Sequence, residues 1–286
     1  MHPPAGTRDG VAGRHGRRSH RVIRFAIALA LLAVLLVGVA AIWAALSGRS
    51  RTVSECRVVG DSAKYTIDLE QAANATTITA VGKQMGMIDH AVTIALATAL
   101  QESNLRNLRY GDRDSLGLFQ QRPSQGWGTP AQLTDPRYAA TAFFNALNRV
   151  PDWQSSSVTD AAQAVQRSNA PEAYARWEPL ARTLARATTG ELPAALTCQF
   201  ALARSHTPPP SPVPAMTREL GGSALATPVS TSRGWTIAAW LVAHAEQYRI
   251  TSVRFAAREW TTHGRWKSAR PNETVVRITQ SPPAAG

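Results

Sequence analysis

From Phe25 to Leu46 the chain carries no charged position, and Ala, Leu, Val and Ile dominate. At about 1.5 Å rise per residue, a helix over such a run reaches across the roughly 30 Å hydrocarbon core of a bilayer. The pattern therefore predicts one transmembrane helix over 25–46. After residue 56 the apolar positions fall at helical spacing, broken by polar stretches. Asp68 can cap a helix to about Gln84 with Gly86 as its breaker. Asp89 can cap a second, in which Val92, Ala95, Leu96, Ala99 and Leu100 share a face and which ends near Glu102 and Ser103. A Gly- and Asp-rich loop follows from Asn107 to Gly128. Asp135 and Pro136 start a helix through Ala139, Phe143 and Leu147, and two Ala-rich helices are expected over 159–168 and 171–188. Strand signal is slight in this block.

Further on the texture changes. Residues 201–233 are rich in Pro, Ser and Thr, including Pro208-Pro209-Pro210, and read as a linker. Beyond it Trp235, Ala238, Leu241 and Val242 mark a helix, followed by strands expected over 251–260, 265–268 and 275–279, with His263-Gly264 as a turn. The expected organisation is a basic arm over 1–24, the transmembrane anchor over 25–46, a mainly α domain over 56–200, the linker, and a small α+β module over 234–280.

Charge modifies this picture by position rather than by total. The net +12 divides into six arginines against one aspartate over 1–24, a nearly neutral centre, and nine cations against four acids over 205–286. A chain with a neutral centre does not present the single cationic face of a nucleic-acid binder. Arg14, Arg17, Arg18, Arg21 and Arg24 before the apolar run place the N-terminus in the cytoplasm and everything after Ser47 outside, a single-pass arrangement in the cell membrane. A cleaved signal peptide competes, but its apolar region is typically only about 7–15 residues. The two cysteines, Cys56 and Cys198, have no C-x-x-C spacing and no histidine at ligand distance, so neither a metal site nor a cofactor is expected. In an oxidising compartment they would join as one disulfide, with two unrelated buried thiols as the alternative.

The candidate chemistry lies in Ala99-Leu100-Gln101-Glu102-Ser103-Asn104-Leu105, followed after a short loop by Ser115-Leu116-Gly117-Leu118-Phe119-Gln120. Here the chain resembles the lytic transglycosylases of the goose-type-lysozyme-like superfamily, whose signature is a Glu-Ser pair at a helix end and then a Gly-Leu-Met-Gln-type segment. Leu133-Thr134-Asp135-Pro136 is similar to the family's Asp-Pro helix. The resemblance covers roughly 66–190 and implies a lysozyme-like fold for the central domain. Phe119 stands where the family has Met. The family's Ala-Tyr-Asn-Ala-Gly-type motif has no clean copy: the nearest stretch is Ala164-Val165-Gln166-Arg167-Ser168, with Tyr174 six residues on.

Physical chemistry points to the same glutamate. Glu102 follows an apolar face at the C-terminal end of a helix, where both the macrodipole and desolvation raise a carboxyl pKa. A carboxyl kept protonated near neutrality can protonate a glycosidic oxygen as the bond breaks. The resemblance further implies that Ser103 orients the Glu102 carboxyl, that Gly117, Leu118, Phe119 and Gln120 line the glycan cleft, and that Tyr110, Trp127 and Tyr174 stack on sugars. A hydrolase needs a second carboxylate. Asp112 and Asp114 in the adjacent loop are the candidates, while a lytic transglycosylase works with Glu102 alone.

The expected function is cleavage of the MurNAc–GlcNAc bond of peptidoglycan, with 1,6-anhydro ends as product. The expected partners are glycan strands, the inner membrane through the N-terminal helix, and a protein or wall polymer at the C-terminal module, without nucleic acid. A hydrolytic muramidase, a silent peptidoglycan-binding module and an envelope scaffold stand as alternatives.

Overall fold

The computed structural model describes residues 54–284 apart from 169, 223, 224 and 226, together with 27, 31–41 and 43 near the N-terminus. The chain divides into two units, Met1–Arg51 and Thr52–Gly286. In the first, the described residues are helical and almost all exposed. The helical run over 31–41 extends about 16 Å, roughly half of a hydrocarbon core. Among the described residues no helix is long and apolar enough to cross a membrane, contrary to the expected transmembrane helix over 25–46, of which residues 25, 26, 28–30, 42 and 44–46 lie outside the described residues. The basic arm over 1–24 lies outside the described residues.

The second unit is mixed α/β rather than a mainly α lysozyme-like domain with an appended module. Strands β1 (Glu55–Val59), β2 (Lys64–Ile67) and β3 (Leu196–Gln199) form an antiparallel sheet of order β2-β1-β3. The register sets Cys56 opposite Cys198, and the two are joined by a disulfide. These strands have only four or five residues each, too few for alternation to stand out against flanking helices. Their pairing across the whole helical block makes them a sheet: the first and last segments of that block meet edge to edge.

Helix α1 (Leu69–Gln84) starts in a capping box between Asp68 and Gln71, and Gly86, at φ 74, lies just past its end. Helix α2 (Asp89–Ser103) is buried along nearly its whole length. Asp89 does not cap it; the carboxylate pairs instead with Lys83 at 2.8 Å. Helices α3 (Pro130–Leu133) and α4 (Pro136–Leu147) follow, the latter capped by Asp135, whose carboxylate accepts from the Arg137 amide at 2.9 Å. Then come α5 (Val158–Gln166), a 3-10 turn (Pro171–Trp177) and α6 (Glu178–Thr188).

The stretch read as a linker carries α7 (Val213–Met216) and a following turn that bury Ala215, Met216 and Leu220. Helix α8 (Thr231–Ala243) packs against α1, α6 and β3 as well as against the second sheet. That sheet, of order β6-β5-β4-β7, comprises β4 (Ile250–Phe255), β5 (Arg258–Thr261), β6 (Arg265–Ser268) and β7 (Arg277–Gln280). The strand expected over 251–260 is in fact a hairpin, turning at Ala256 and Ala257, both at positive φ. Alanine is a poor signal for such a turn, which explains why the sequence reads straight through it.

The two sheets are tied directly. The indoles of Trp260 and Trp266 donate to the Cys198 and Leu196 carbonyls at 3.1 and 2.9 Å, and Gln199 bridges to His263. One continuous core runs from Cys56 through α2 and α8 to Val276. Trp235, Trp240 and Trp260 are buried in it.

Candidate active site

Glu102 lies on the last turn of α2, and the sequence around it explains why the helix stops there. Asn104 and Leu105 both adopt left-handed conformations, at φ 53 and 58. An Asn tolerates this geometry, but a buried Leu requires help from its surroundings. The help comes from α1: the Gln71 amide donates to the Asn104 carbonyl at 2.9 Å and the Asn74 amide to the Leu105 carbonyl at 2.7 Å. Arg106 pairs with Asp68 and Glu70 on the same helix. The turn after Glu102 is thus fixed by polar side chains of α1.

Glu102 is half-buried. Its Oε1 accepts a hydrogen bond from the Tyr174 hydroxyl at 2.8 Å. Burial pushes its pKa up, opposed by the Tyr174 hydrogen bond and more weakly by Gln166. Tyr174 comes from the 3-10 turn, which is docked onto α2 by the Trp177 indole and the Arg176 guanidinium, both donating to Gln101. Its own pKa is raised, first by burial and then by the Glu102 charge, so the phenol remains a donor throughout the working pH range.

The residues expected to bind glycan separate into two groups. Ser103 does not reach Glu102; its hydroxyl donates to the Leu118 carbonyl at 2.7 Å and to Ala99 at 3.1 Å, clamping the 115–121 loop to the helix end. Gly117 has φ 73, and a Cβ there would stand 2.0 Å from the Leu133 carbonyl oxygen, so close packing of the loop on α3 demands glycine. Leu118 and Phe119 are fully buried, the Phe119 ring stacking on Phe143 at 4.6 Å. The Gln120 amide turns back onto the Tyr110 and Gly117 carbonyls at 3.4 and 3.2 Å. These contacts brace the loop against α2 and α3. Tyr110 is 72% exposed, and Tyr174, fully buried, meets Glu102 through its hydroxyl and offers no open ring face.

Trp127 belongs to the second group. It lines a cleft of about 620 Å³ together with Gln125, Arg149, Val150, Gln166 and Arg167. A smaller hollow of about 230 Å³ continues past Trp127 toward Tyr138, whose hydroxyl donates to the Trp127 carbonyl at 3.2 Å. Gln166 links cleft and acid: its amide donates to the Phe119 carbonyl at 2.8 Å, and its side chain neighbours the Glu102 carboxyl. In the sequence Gln166 stands out only as part of an imperfect motif, and Arg149 not at all. No periodicity marks either position, since each becomes meaningful only when α4 and α5 are brought together.

Of the two aspartates expected as a second carboxylate, only Asp114 is held by close partners. Asp114 accepts from the Arg122 guanidinium at 2.7 Å and from the Ser124 amide at 2.8 Å, which together hold its pKa well below the usual carboxylate range. Asp112 is exposed and lies 3.9 Å from Arg113. Among the described residues no cluster of His, Cys, Asp and Glu is arranged to hold a metal.

The arrangement is therefore one half-buried acid with neutral donors at the side of a polar cleft floored by an indole. Compared with protein families and with curated proteins, the chain matches no family model and no curated sequence.

Proposed function

We propose that the protein cleaves the glycosidic bond between MurNAc and GlcNAc in peptidoglycan as a non-hydrolytic lytic transglycosylase, with Glu102 as general acid and then general base. The observation that carries this reading is the Glu102–Tyr174 pair beside the cleft: a carboxyl with a raised pKa, adjoining a groove that shares Gln166 with it. Protonated Glu102 gives its proton to the glycosidic oxygen as the C1–O bond breaks, and the GlcNAc 4-hydroxyl departs. The resulting carboxylate takes the proton of the muramyl 6-hydroxyl while that oxygen bonds to C1, closing the 1,6-anhydro ring. Asp114, tied to Arg122, is not free to activate water, which favours this route over hydrolysis. The disulfide favours an extracytoplasmic setting, where thiols stay oxidised and the wall polymer lies.

The test is mass spectrometry of purified peptidoglycan incubated with the full chain. Anhydromuropeptides are expected, and the Glu102→Gln variant should release them about 10²–10⁴-fold more slowly. Reducing ends in their place would replace the transglycosylase assignment by hydrolysis. No release by the unaltered chain would remove the enzymatic reading altogether.

A further inference from the structure

Two arginines of the cleft have no part in the reaction just described. Arg149, beyond the end of α4, and Arg167, at the C-cap of α5, line it beside Trp127 and Gln166, and no acidic residue lines it with them. Among the described residues neither forms an ion pair, and the cleft lining offers them no acidic partner. Arg167 also sits in a left-handed conformation, φ 51, at a helix C-cap where Gly or Asn is the usual residue. That geometry is disfavoured for a non-glycine residue. The side chain is exposed, so packing does not require an arginine there. An unpaired cation held against its backbone preference at the edge of a cleft calls for a ligand.

Sugar hydroxyls and acetamido groups are neutral and are served by neutral donors. Paired guanidinium groups match a carboxylate, through forked and charge-assisted hydrogen bonds. We infer that the cleft beside Glu102 is a subsite for a carboxylate carried on the muramyl side of the substrate, read by Arg149 and Arg167 while Trp127 holds the face of the adjoining ring. The inference rests on the glycan-cleaving reading and deepens it: the enzyme selects an acidic glycan rather than any β-linked amino sugar. The carboxylate has two sources. In peptide-free strands it is the free lactyl group of muramic acid; in peptide-bearing strands the lactyl group is an amide and the carboxylates belong to the stem.

Three strands of equal length distinguish them: a peptide-free MurNAc–GlcNAc strand, the same strand with its lactyl carboxyls converted to amides, and a peptide-bearing strand. The full chain should favour a carboxylate strand over the amidated one by about tenfold or more in kcat/KM. The preference should shrink as ionic strength rises. The double variant Arg149→Gln, Arg167→Asn retains a residue that tolerates the left-handed C-cap, and it should lose the preference through KM; Arg149→Lys with Arg167→Lys keeps the charge without the fork and should retain only part of it. Preference for the peptide-free strand assigns the lactyl group, and preference for the peptide-bearing strand alone assigns the stem. Equal turnover of amidated and free-acid strands without a gain for the peptide-bearing one, or a preference unmoved in the Gln/Asn variant, overturns the subsite and leaves Glu102 in place. If no strand is cleaved, the proposed reaction fails, and the subsite is judged by binding: it stands if peptide-free or peptide-bearing strands bind in a salt-sensitive way lost in the Gln/Asn variant, and falls otherwise.

Discussion

Glu102 and Glu219 are both drawn in from solvent and both accept a hydrogen bond from an aromatic side chain, yet their surroundings differ in kind. Glu219 Oε2 accepts from the Trp240 indole and from the Thr77 hydroxyl, each at 2.8 Å, so it joins the turn after α7 to both α8 and α1. His244 stacks on Trp240 with ring centroids 4.0 Å apart, and burial lowers its pKa against the pull of the Glu219 charge. Each donor to Glu219 comes from a packed helix. Glu102 also has neutral neighbours, but one of them, Gln166, is itself part of a cleft wall. The contrast separates a carboxyl that holds elements together from one that adjoins a cleft wall.

The strongest way to break this comparison is Glu102→Gln. Removal of a general acid should lower the rate of anhydromuropeptide formation by about 10²–10⁴-fold. Stability should move the other way. Because the folded-state pKa of Glu102 is raised, the folded protein binds the proton more tightly than the unfolded chain does, and stability declines as pH rises through the ordinary carboxyl range toward the folded-state value. Glutamine removes the buried charge, so the variant should unfold at a higher temperature than the parent at neutral pH. The gain should vanish in acid, where both are uncharged at this position. Thermal unfolding followed by circular dichroism at two pH values reads this directly, and a variant less stable at neutral pH would make Glu102 a structural group like Glu219.

Glu219→Ala should give the mirror result. It leaves the indole N–H of the buried Trp240 and the Thr77 hydroxyl without their acceptor, at about 1–3 kcal/mol for each unmet donor. The unfolding midpoint in urea should fall accordingly, while turnover per folded molecule stays at the parent level. Turnover lost in protein that is still folded would mean that α8 and its partners act on the site, and the separation drawn above would fail.

Much of the helical scaffold is legible from local signals. The Asp68 cap, the Gly86 stop and the Asp135-Pro136 start are each decided by a few adjacent residues and stand where the sequence puts them. The disulfide, expected from two distant cysteines, pairs β1 with β3. What is not legible is set by distant partners. The first sheet needs strands 142 positions apart to meet at Cys56 and Cys198. The Ala256-Ala257 hairpin turn has no turn-forming residue to announce it. At the site, Glu102 is readable because helix position and apolar context are local, whereas the loop that Ser103 and Gln120 brace is set by partners 15 and 10 positions away. Tyr174 is the sharpest case: 72 positions from Glu102, it is expected to stack on sugars and in the structure donates its hydroxyl to the Glu102 carboxyl.

That reassignment has its own test, with the smallest expected effect. As general acid, Glu102 must be protonated, so kcat/KM should fall as pH rises through its pKa. The Tyr174 hydroxyl donates to the carboxylate and stabilises its ionised form, holding that pKa below what burial alone would impose. Tyr174→Phe removes the donor and keeps the ring, so the packing of the buried side chain is preserved. The Glu102 pKa should rise further, and the falling limb of the kcat/KM profile should move to higher pH, with a loss of roughly fivefold at the optimum from poorer orientation of the carboxyl. A stacking role predicts something else: KM for the glycan rises and the limb stays where it was. A limb that moves to lower pH is compatible with neither role and would mean that the hydroxyl favours the protonated acid, reversing the sense in which Tyr174 tunes it.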